Sequence, residues 1–284
     1  MKRLSPPAAP RLYYLEQTDS TNNWAKARLA GLSHLDAVYA ASQTAGKGRL
    51  GRRWENAGPE GLYYTIVCKV SLADPASLPL LASLAAAGAL RELFGLCCQI
   101  KWPNDLLAGG KKLCGILCES TPDGIVCGIG VNLWQSEAFF AACGLPHATS
   151  AAAALARQRE NSRGPLQAEG AQPGTAARQG EGLFPGGVLQ PGATLPQNAA
   201  QLLARKIGTE FAALLPGFAQ QGFAALREEY CRLCVNLGRE VEFAGGRGIA
   251  RDIDGQGRLL VETEAGGAAV FTGEVSVQGI YGEV

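Results

Sequence analysis

Gly46 to Gly61 reads GKGRLGRRWENAGPEG, and its first six residues carry the glycine spacing G-x-G-x-x-G of a dinucleotide-binding turn. That fingerprint has meaning only between a strand and a helix, because the pyrophosphate rests on the helix N-terminus. The preceding DAVYAASQTA supplies the strand. The following RRWENAGPEG supplies no helix, since Pro59 and its glycines break any helical run before GLYYTIVCKV begins a strand. A Walker A loop is excluded as well, because no Gly-Lys-Ser/Thr triplet closes the stretch. What remains is three glycines interleaved with Lys47, Arg49, Arg52 and Arg53 and followed by Trp54. Glycine lets backbone N–H groups approach an anion as a nest, and arginine adds a planar two-donor grip on phosphate. The loop reads equally as an anion cradle or as a hairpin with solvated charges.

Around this loop the periodicity predicts an α+β fold. Residues 12–17 read as a short apolar strand. DSTNNWAKARLAG reads as a helix with Ser20, Thr21 and Asn22 as caps and Gly31 at its end. PASLPLLASLAAAGALRELFG is an Ala/Leu helix apolar enough to be buried. CCQIKW reads as a strand, PNDLLAGGKK as a turn, and KLCGILCES with GIVCGIGVNL as a hairpin about Thr121-Pro122-Asp123-Gly124. Strands joined by tight turns predict a mixed, mostly antiparallel sheet with packed helices.

The composition shifts at about residue 157. Residues 157–197 are dense in Gly, Pro, Gln and Ala without periodicity, which predicts a disordered insertion. NAAQLLARKIGTEFAALLPGFAQQGFAALREEYCRLCVNLG then reads as two helices broken at Pro216-Gly217. In the last fifty residues apolar side chains alternate between glycine turns (Val241 and Phe243; Ile249 and Ile253; Phe271, Val275 and Val277), predicting a small β-barrel. The expected domains are 1–236 and 237–284.

A chain of 284 residues, 47% hydrophobic and 18% charged, can bury a sizeable core. Its formal net charge of +1 gives no global field for nucleic acid or anionic membrane. The N-terminal MKRLSPPAAPRLYYL has prolines where a signal peptide needs an apolar core, so a cytoplasmic protein without a membrane anchor is expected. Nine cysteines, several inside apolar runs, suit reduced and buried thiols. Cys231-x-x-Cys234 lies in a helical stretch with no second pair at zinc spacing, and it reads as structural.

Three further stretches carry chemistry. KWPNDLL, Lys101 to Leu107, gathers Lys, Trp, Asn and Asp about a proline. GKKLCG places Lys111 and Lys112 at a strand's start, where alternation points one of them onto the sheet face. GIGVNL sets Asn132 near a strand end, where an amide suits a base edge. Singly each is also an edge or turn feature.

Together, DSTNNWAK, SQTAGKGRLGRRW, KWPNDLL, KKLCGIL and GIGVNL resemble the biotin protein ligase family in order and spacing, and GIARDIDGQGRLLVETEAG resembles its small SH3-like C-terminal domain. The resemblance implies a catalytic sheet of the class II aminoacyl-tRNA synthetase and biotin ligase type. It implies ATP-dependent formation of biotinyl-5′-AMP, with Mg²⁺, then transfer to a lysine of a biotin carboxyl carrier domain. By resemblance, Lys112 is the cation at the reacting centre and Arg49 its catalytic partner. Ser20, Thr21, Asn22, Gln43, Lys47, Gly48, Arg49 and Lys112 would hold biotin. Arg52, Trp54, Asn104, Asp105 and Asn132 would hold the nucleotide, with Asp105 also the carboxylate for Mg²⁺. Lys47 stands where the family commonly has arginine, which keeps the charge and loses the fork. Unlike the family's bifunctional members, the sequence starts almost directly at the catalytic stretch, so no DNA-binding activity is expected; pairing into a homodimer through the sheet edge, as some members do, stays open. Two alternatives stay open. One is a lipoate ligase or octanoyl transferase of related fold, for which neither His34 nor His147 sits in a candidate site. The other is an inert biotin- or acceptor-binding module.

Overall fold

The computed structural model describes residues 9–162 and 194–280, apart from Asn56, Ala73, Thr272 and Glu274. Seven strands form one sheet: β1 (Leu12–Leu15), β2 (Ala37–Ala40), β3 (Gly61–Cys68), β4 (Gln99–Lys101), β5 (Asp105–Ala108), β6 (Lys111–Thr121) and β7 (Gly124–Asn132). Their spatial order is β1-β2-β3-β7-β6-β5-β4. β1 and β2 are parallel, and the other neighbours are antiparallel. The expected mixed, mostly antiparallel sheet is therefore present.

The two faces of this sheet are built differently, and alternation along each strand shows how. Tyr64, Ile66, Cys127 and Ile129 point into one core with α2 (Leu78–Phe94) and α5 (Ala199–Gln221). Their neighbours Val67 and Val126 point the other way. There they form a smaller cluster with Ala25, Leu29, Leu32 and Val38, under α1 (Thr21–Ala27). Further along that second face the N-terminal turn of α1 is the last helical cover among the described residues, and the strands carry Thr65, Gly128, Gly130 and Gly115. A hollow forms where the apolar pattern stops.

β1 is fastened to β2 by the buried Asp36, which accepts from the Arg11 and Ser33 backbone N–H groups and from the Arg11 guanidinium at 2.6 Å. Burial alone would raise this carboxyl, but those donors hold it below its ordinary 3.8. Its contribution is complete above that value and is lost as the pH falls through the lower folded value. We expect Asp36→Ala to cost about 2 kcal/mol by leaving the N–H groups without an acceptor. In an acid titration of unfolding the variant should lose less stability than the native chain below pH 4; parallel curves would contradict this.

Three local expectations are corrected. Asp105–Ala108, read as turn, is strand β5, paired to β4 and β6. Leu106 and Leu107 are both fully buried, so the strand lacks the alternation that marks a half-exposed one. The helix expected to break at Pro216 runs on to Gln221. Leu215 and Phe218 continue its buried stripe, and burying two such side chains at about 2–3 kcal/mol each outweighs the roughly 3 kcal/mol cost of an internal proline. The chain turns at Gly222 instead, whose φ of 64° and ψ of −155° are open to glycine. Residues 157–162, placed in the insertion, continue α4 (Ala151–Ser162), and 163–193 lie outside the described residues.

After α3 (Glu137–Ala142) and α6 (Arg227–Leu233), the chain enters an antiparallel five-stranded sheet. Its strands are β8 (Glu240–Phe243), β9 (Gly246–Ile253), β10 (Leu259–Thr263), β11 (Gly266–Val270) and β12 (Ser276–Val277), in the order β11-β10-β9-β8-β12. Phe271, expected to alternate inward, is 50% exposed. Trp102, buried, fixes this sheet to the first. Its Nε1–H donates to the Gly257 carbonyl at 3.0 Å, and its backbone N–H to Asn236 Oδ1 at 2.8 Å. The Trp102–Pro103 peptide bond is cis. Burial raises the Cys234 thiol to about 12, in keeping with a structural cysteine.

Candidate active site

The uncovered part of the second face holds a cavity of about 540 Å³. All thirteen residues singled out in the sequence line it: Ser20, Thr21, Asn22, Gln43, Lys47, Gly48, Arg49, Arg52, Trp54, Asn104, Asp105, Lys112 and Asn132. They arrive from six separate segments, which no single motif would bring together.

The floor is made by glycines. Gly115 on β6 and Gly130 on β7 are cross-strand partners, and the Trp54 indole lies over both. A Cβ at Gly130 would stand 2.5 Å from Trp54 Cε2, and one at Gly115 2.7 Å from Cζ3. Two residues along, a Cβ at Gly128 would stand 2.5 Å from Asn22 Oδ1. The GxGxN spacing of β7 thus leaves room for an indole and an amide where ordinary side chains would fill the hollow. Trp54 Nε1–H is buried with no hydrogen-bond partner among the described residues, so it is a donor open to a ligand.

The glycine-rich loop is closed as a hairpin by its own backbone. Gly48 N–H donates to the Arg52 carbonyl at 2.8 Å, Arg52 N–H to Arg49, and Trp54 N–H to Gly46. These three backbone donors are used within the loop, while Lys47, Arg49 and Arg52 line the cavity. Gly46 is required by contact, since a Cβ there would meet the Trp54 carbonyl at 2.5 Å. At the tip, Arg49 donates to Asn104 Oδ1 at 2.7 Å and to the Gly273 carbonyl at 3.0 Å. Asn104 in turn donates to the Ile116 carbonyl. The flap is thereby tied both to the catalytic sheet and to the C-terminal one. Lys47 Nζ reaches Asn23 Oδ1 at 2.7 Å.

Lys111 and Lys112 point apart as alternation requires, and a β-bulge at Leu113, opposite the Leu106–Leu107 step of β5, sets Lys112 on the same face as Gly115. The Lys112 backbone is fixed by a bond from its N–H to the His147 carbonyl, and its Nζ lies 2.7 Å from Asp105 Oδ1 and 5.9 Å from the Trp54 ring centroid. Lys111 points away, toward Glu137. His147, read as remote from any site, lines the cavity. Asn132 donates to the Thr149 carbonyl, which turns its amide edge-on to the cavity wall.

At the opposite end, polar groups form a buried chain. Gln43 Oε1 accepts from the Thr21 backbone N–H at 2.8 Å. Thr21 Oγ1 and Thr65 Oγ1 are 2.8 Å apart, and Thr65 donates to Asn22 Oδ1 at 2.7 Å. Asn22 Nδ2 donates to Glu119 Oε2 at 2.8 Å and to the Leu117 carbonyl at 3.1 Å. Lys26 Nζ completes it on Glu119 Oε1 at 2.5 Å. Burial alone would raise the Glu119 carboxyl, yet the bonds from Lys26 and Asn22 hold it below its ordinary 4.5. Thr65 and Glu119 were missed in the sequence; a hydroxyl within GLYYTIVC and a carboxylate within KLCGILCES were the available signals.

A hollow with acceptors and donors for a small polar ring at one end, an indole and glycine floor, and Arg49, Arg52 and Lys112 at the other suits an acid joined to a phosphate. Residues 14–132 match the Biotin/lipoate A/B protein ligase family, and residues 231–284 match the biotin protein ligase C terminal domain. The chain is 31% identical to the biotin--[acetyl-CoA-carboxylase] ligase of Paracoccus denitrificans, over 92% of this chain and 98% of the relative. It is 32% identical to the ligase of that name from Mycobacterium tuberculosis, over 93% and 88%. Among solved structures, the biotin protein ligase of Aquifex aeolicus in complex with biotin and ATP superposes with a TM-score of 0.70 at 25% identity, covering 94% and 98%. The chain belongs to the biotin protein ligase family.

Proposed function

We infer that this protein activates biotin with ATP and transfers it to a lysine of a carboxylase's biotin carboxyl carrier domain. The observation that carries this is the two-ended cavity, with its ring-binding chain at Thr21 and Gln43 and its cations at Lys112 and the flap. In the first step the biotin carboxylate attacks the α-phosphorus of ATP and pyrophosphate leaves. An anion approaches an anion, so fixed positive charge lowers the barrier. Lys112, held by Asp105, supplies it at the carboxylate–phosphate junction, and Arg49, Arg52 and Lys47 supply it from the flap. In the second step an acceptor lysine amine attacks the acyl carbon, loses a proton, and AMP leaves.

Ser20, Thr21 and Gln43 are read as the contacts to the ureido ring, and Trp54 as the wall along biotin's chain and the adenylate. Asn132 lies on the adenine side. Mg²⁺ supplies charge neutralisation at the phosphates when bound. Of the lining residues, Asp105 and Glu55 bear carboxylates, and Asp105 is engaged by Lys112. That donor set fits a metal brought in on ATP and held mainly by phosphate oxygens. Asp105 is then chiefly the group that positions Lys112.

ATP–pyrophosphate exchange with biotin, lipoate and octanoate in turn tests the assignment. Exchange should appear with biotin; exchange with lipoate alone would overturn it. A second expectation concerns retention of the intermediate. Arg49→Gly removes both the Asn104 and Gly273 ties of the flap, so biotinyl-AMP should escape and label bystander lysines on added albumin. Labelling no greater than with the unaltered protein would remove Arg49 from this role.

A further inference from the structure

The buried chain from Glu119 to Gln43 has a direction, and that direction follows from proton counting. Glu119 is ionised and can only accept, as can the Leu117 carbonyl, so the Asn22 amide must turn its NH₂ toward both. Asn22 Oδ1 therefore faces Thr65 as an acceptor. Thr65 has one hydroxyl proton, and Asn22 takes it. With Thr65 Oγ1 left as an acceptor at 2.8 Å and Gln43 Oε1 at 3.1 Å, the Thr21 proton has two receivers, both inside the protein. Thr21 then presents both lone pairs to the cavity. Were Asn22 turned over, Thr65 would donate to Thr21 and occupy one of them.

We propose that Glu119, acting through Asn22 and Thr65, is a positioning residue that makes Thr21 a full hydrogen-bond acceptor for the ureido N–H of biotin. This rests on the biotin reading of the cavity. It gives Asn22 a different part from a direct ligand contact, because all its amide atoms are engaged within the protein. Glu119 is not among the residues lining the cavity, so its effect is transmitted, not made by touch. Lys26 keeps the carboxylate ionised and hence the chain one-directional. Selection for a ring with N–H donors follows, since an acyl group without them leaves Thr21 unpaired.

The test is steady-state ATP–pyrophosphate exchange in the full chain with Glu119→Gln, Thr65→Val and Thr65→Ser. Glutamine keeps the shape but can present either polarity to Asn22. Biotin KM should rise about fivefold to tenfold in Glu119→Gln and in Thr65→Val, as for one weakened hydrogen bond. The kcat and the ATP KM should stay within about twofold, and Thr65→Ser should restore the native biotin KM. An unchanged biotin KM in Glu119→Gln, or a fall in kcat with no change in biotin KM, would overturn the proposal. Should Glu119→Gln not fold, the Thr65 pair decides alone, and equal KM in valine and serine variants would overturn it. No biotin-dependent exchange in the unaltered protein would instead defeat the assignment of substrate.

Discussion

Replacing Lys112 by alanine should lower biotin-dependent exchange by about 10²- to 10³-fold, the usual consequence of removing one preorganised charge from a developing anionic centre. Loss of stability is the competing explanation, because Asp105, its side chain only 14% exposed, would lose the charge of Lys112. The double variant Lys112→Ala with Asp105→Asn separates the two. Neutralising Asp105 should return the melting temperature toward that of the native chain while exchange stays at the level of the single variant. Exchange recovering together with stability would show that Lys112 serves the fold. Full activity in Lys112→Ala alone would remove it from the reaction.

The second large effect is expected from the smallest change. Gly130→Ala adds one methyl group 2.5 Å from Trp54 Cε2, 2.8 Å from Cζ2 and 2.9 Å from Nε1, so the new group meets the ring along its whole edge. The indole must lift from the sheet. The backbone itself loses nothing, since Gly130 is in an extended strand where alanine is tolerated and no positive φ is involved. A displaced Trp54 would obstruct the junction between the two ends of the cavity, and an error of about 1 Å there costs roughly 100-fold. We expect exchange to fall by about that factor, Trp54 emission to shift to the red as the ring meets water, and the melting temperature to stay nearly constant. Unchanged emission with native activity would mean that the ring does not rest where described.

Much of the site was legible in the sequence because its parts are chemically unusual for their positions. Cations between glycines, two lysines opening a strand, and an amide ending one are poor choices for a strand or loop of purely structural purpose. The rejection of a dinucleotide turn also holds: between β2 and β3 the helical turns among the described residues are two short 3₁₀ ones, Arg49–Gly51 at the hairpin tip and Gly58–Glu60 just before β3. What stayed hidden depends on contacts distant in sequence. Asn22 meets Glu119 across 97 positions, and Arg49 meets Gly273 across 224. Strand β5 was missed because burial on both faces erases its period. Trp102 read as part of the chemical motif, yet its hydrogen bonds to Gly257 and Asn236 make it a joint between sheets. His147 escaped notice because what it gives the site is placement by its backbone carbonyl, which carries no residue-type signal.

The tie from Arg49 to Gly273 has a consequence in time. The catalytic sheet is complete by Asn132, whereas the carbonyl that latches the flap belongs to a segment translated much later. At about 5–20 residues per second, the interval between the two is roughly 7–28 s on the ribosome. During that interval Arg49 has its partner on the catalytic sheet, Asn104, but not the Gly273 carbonyl. Placing this tie late in the chain makes the flap's second anchor depend on a segment that leaves the ribosome after every strand of the catalytic sheet.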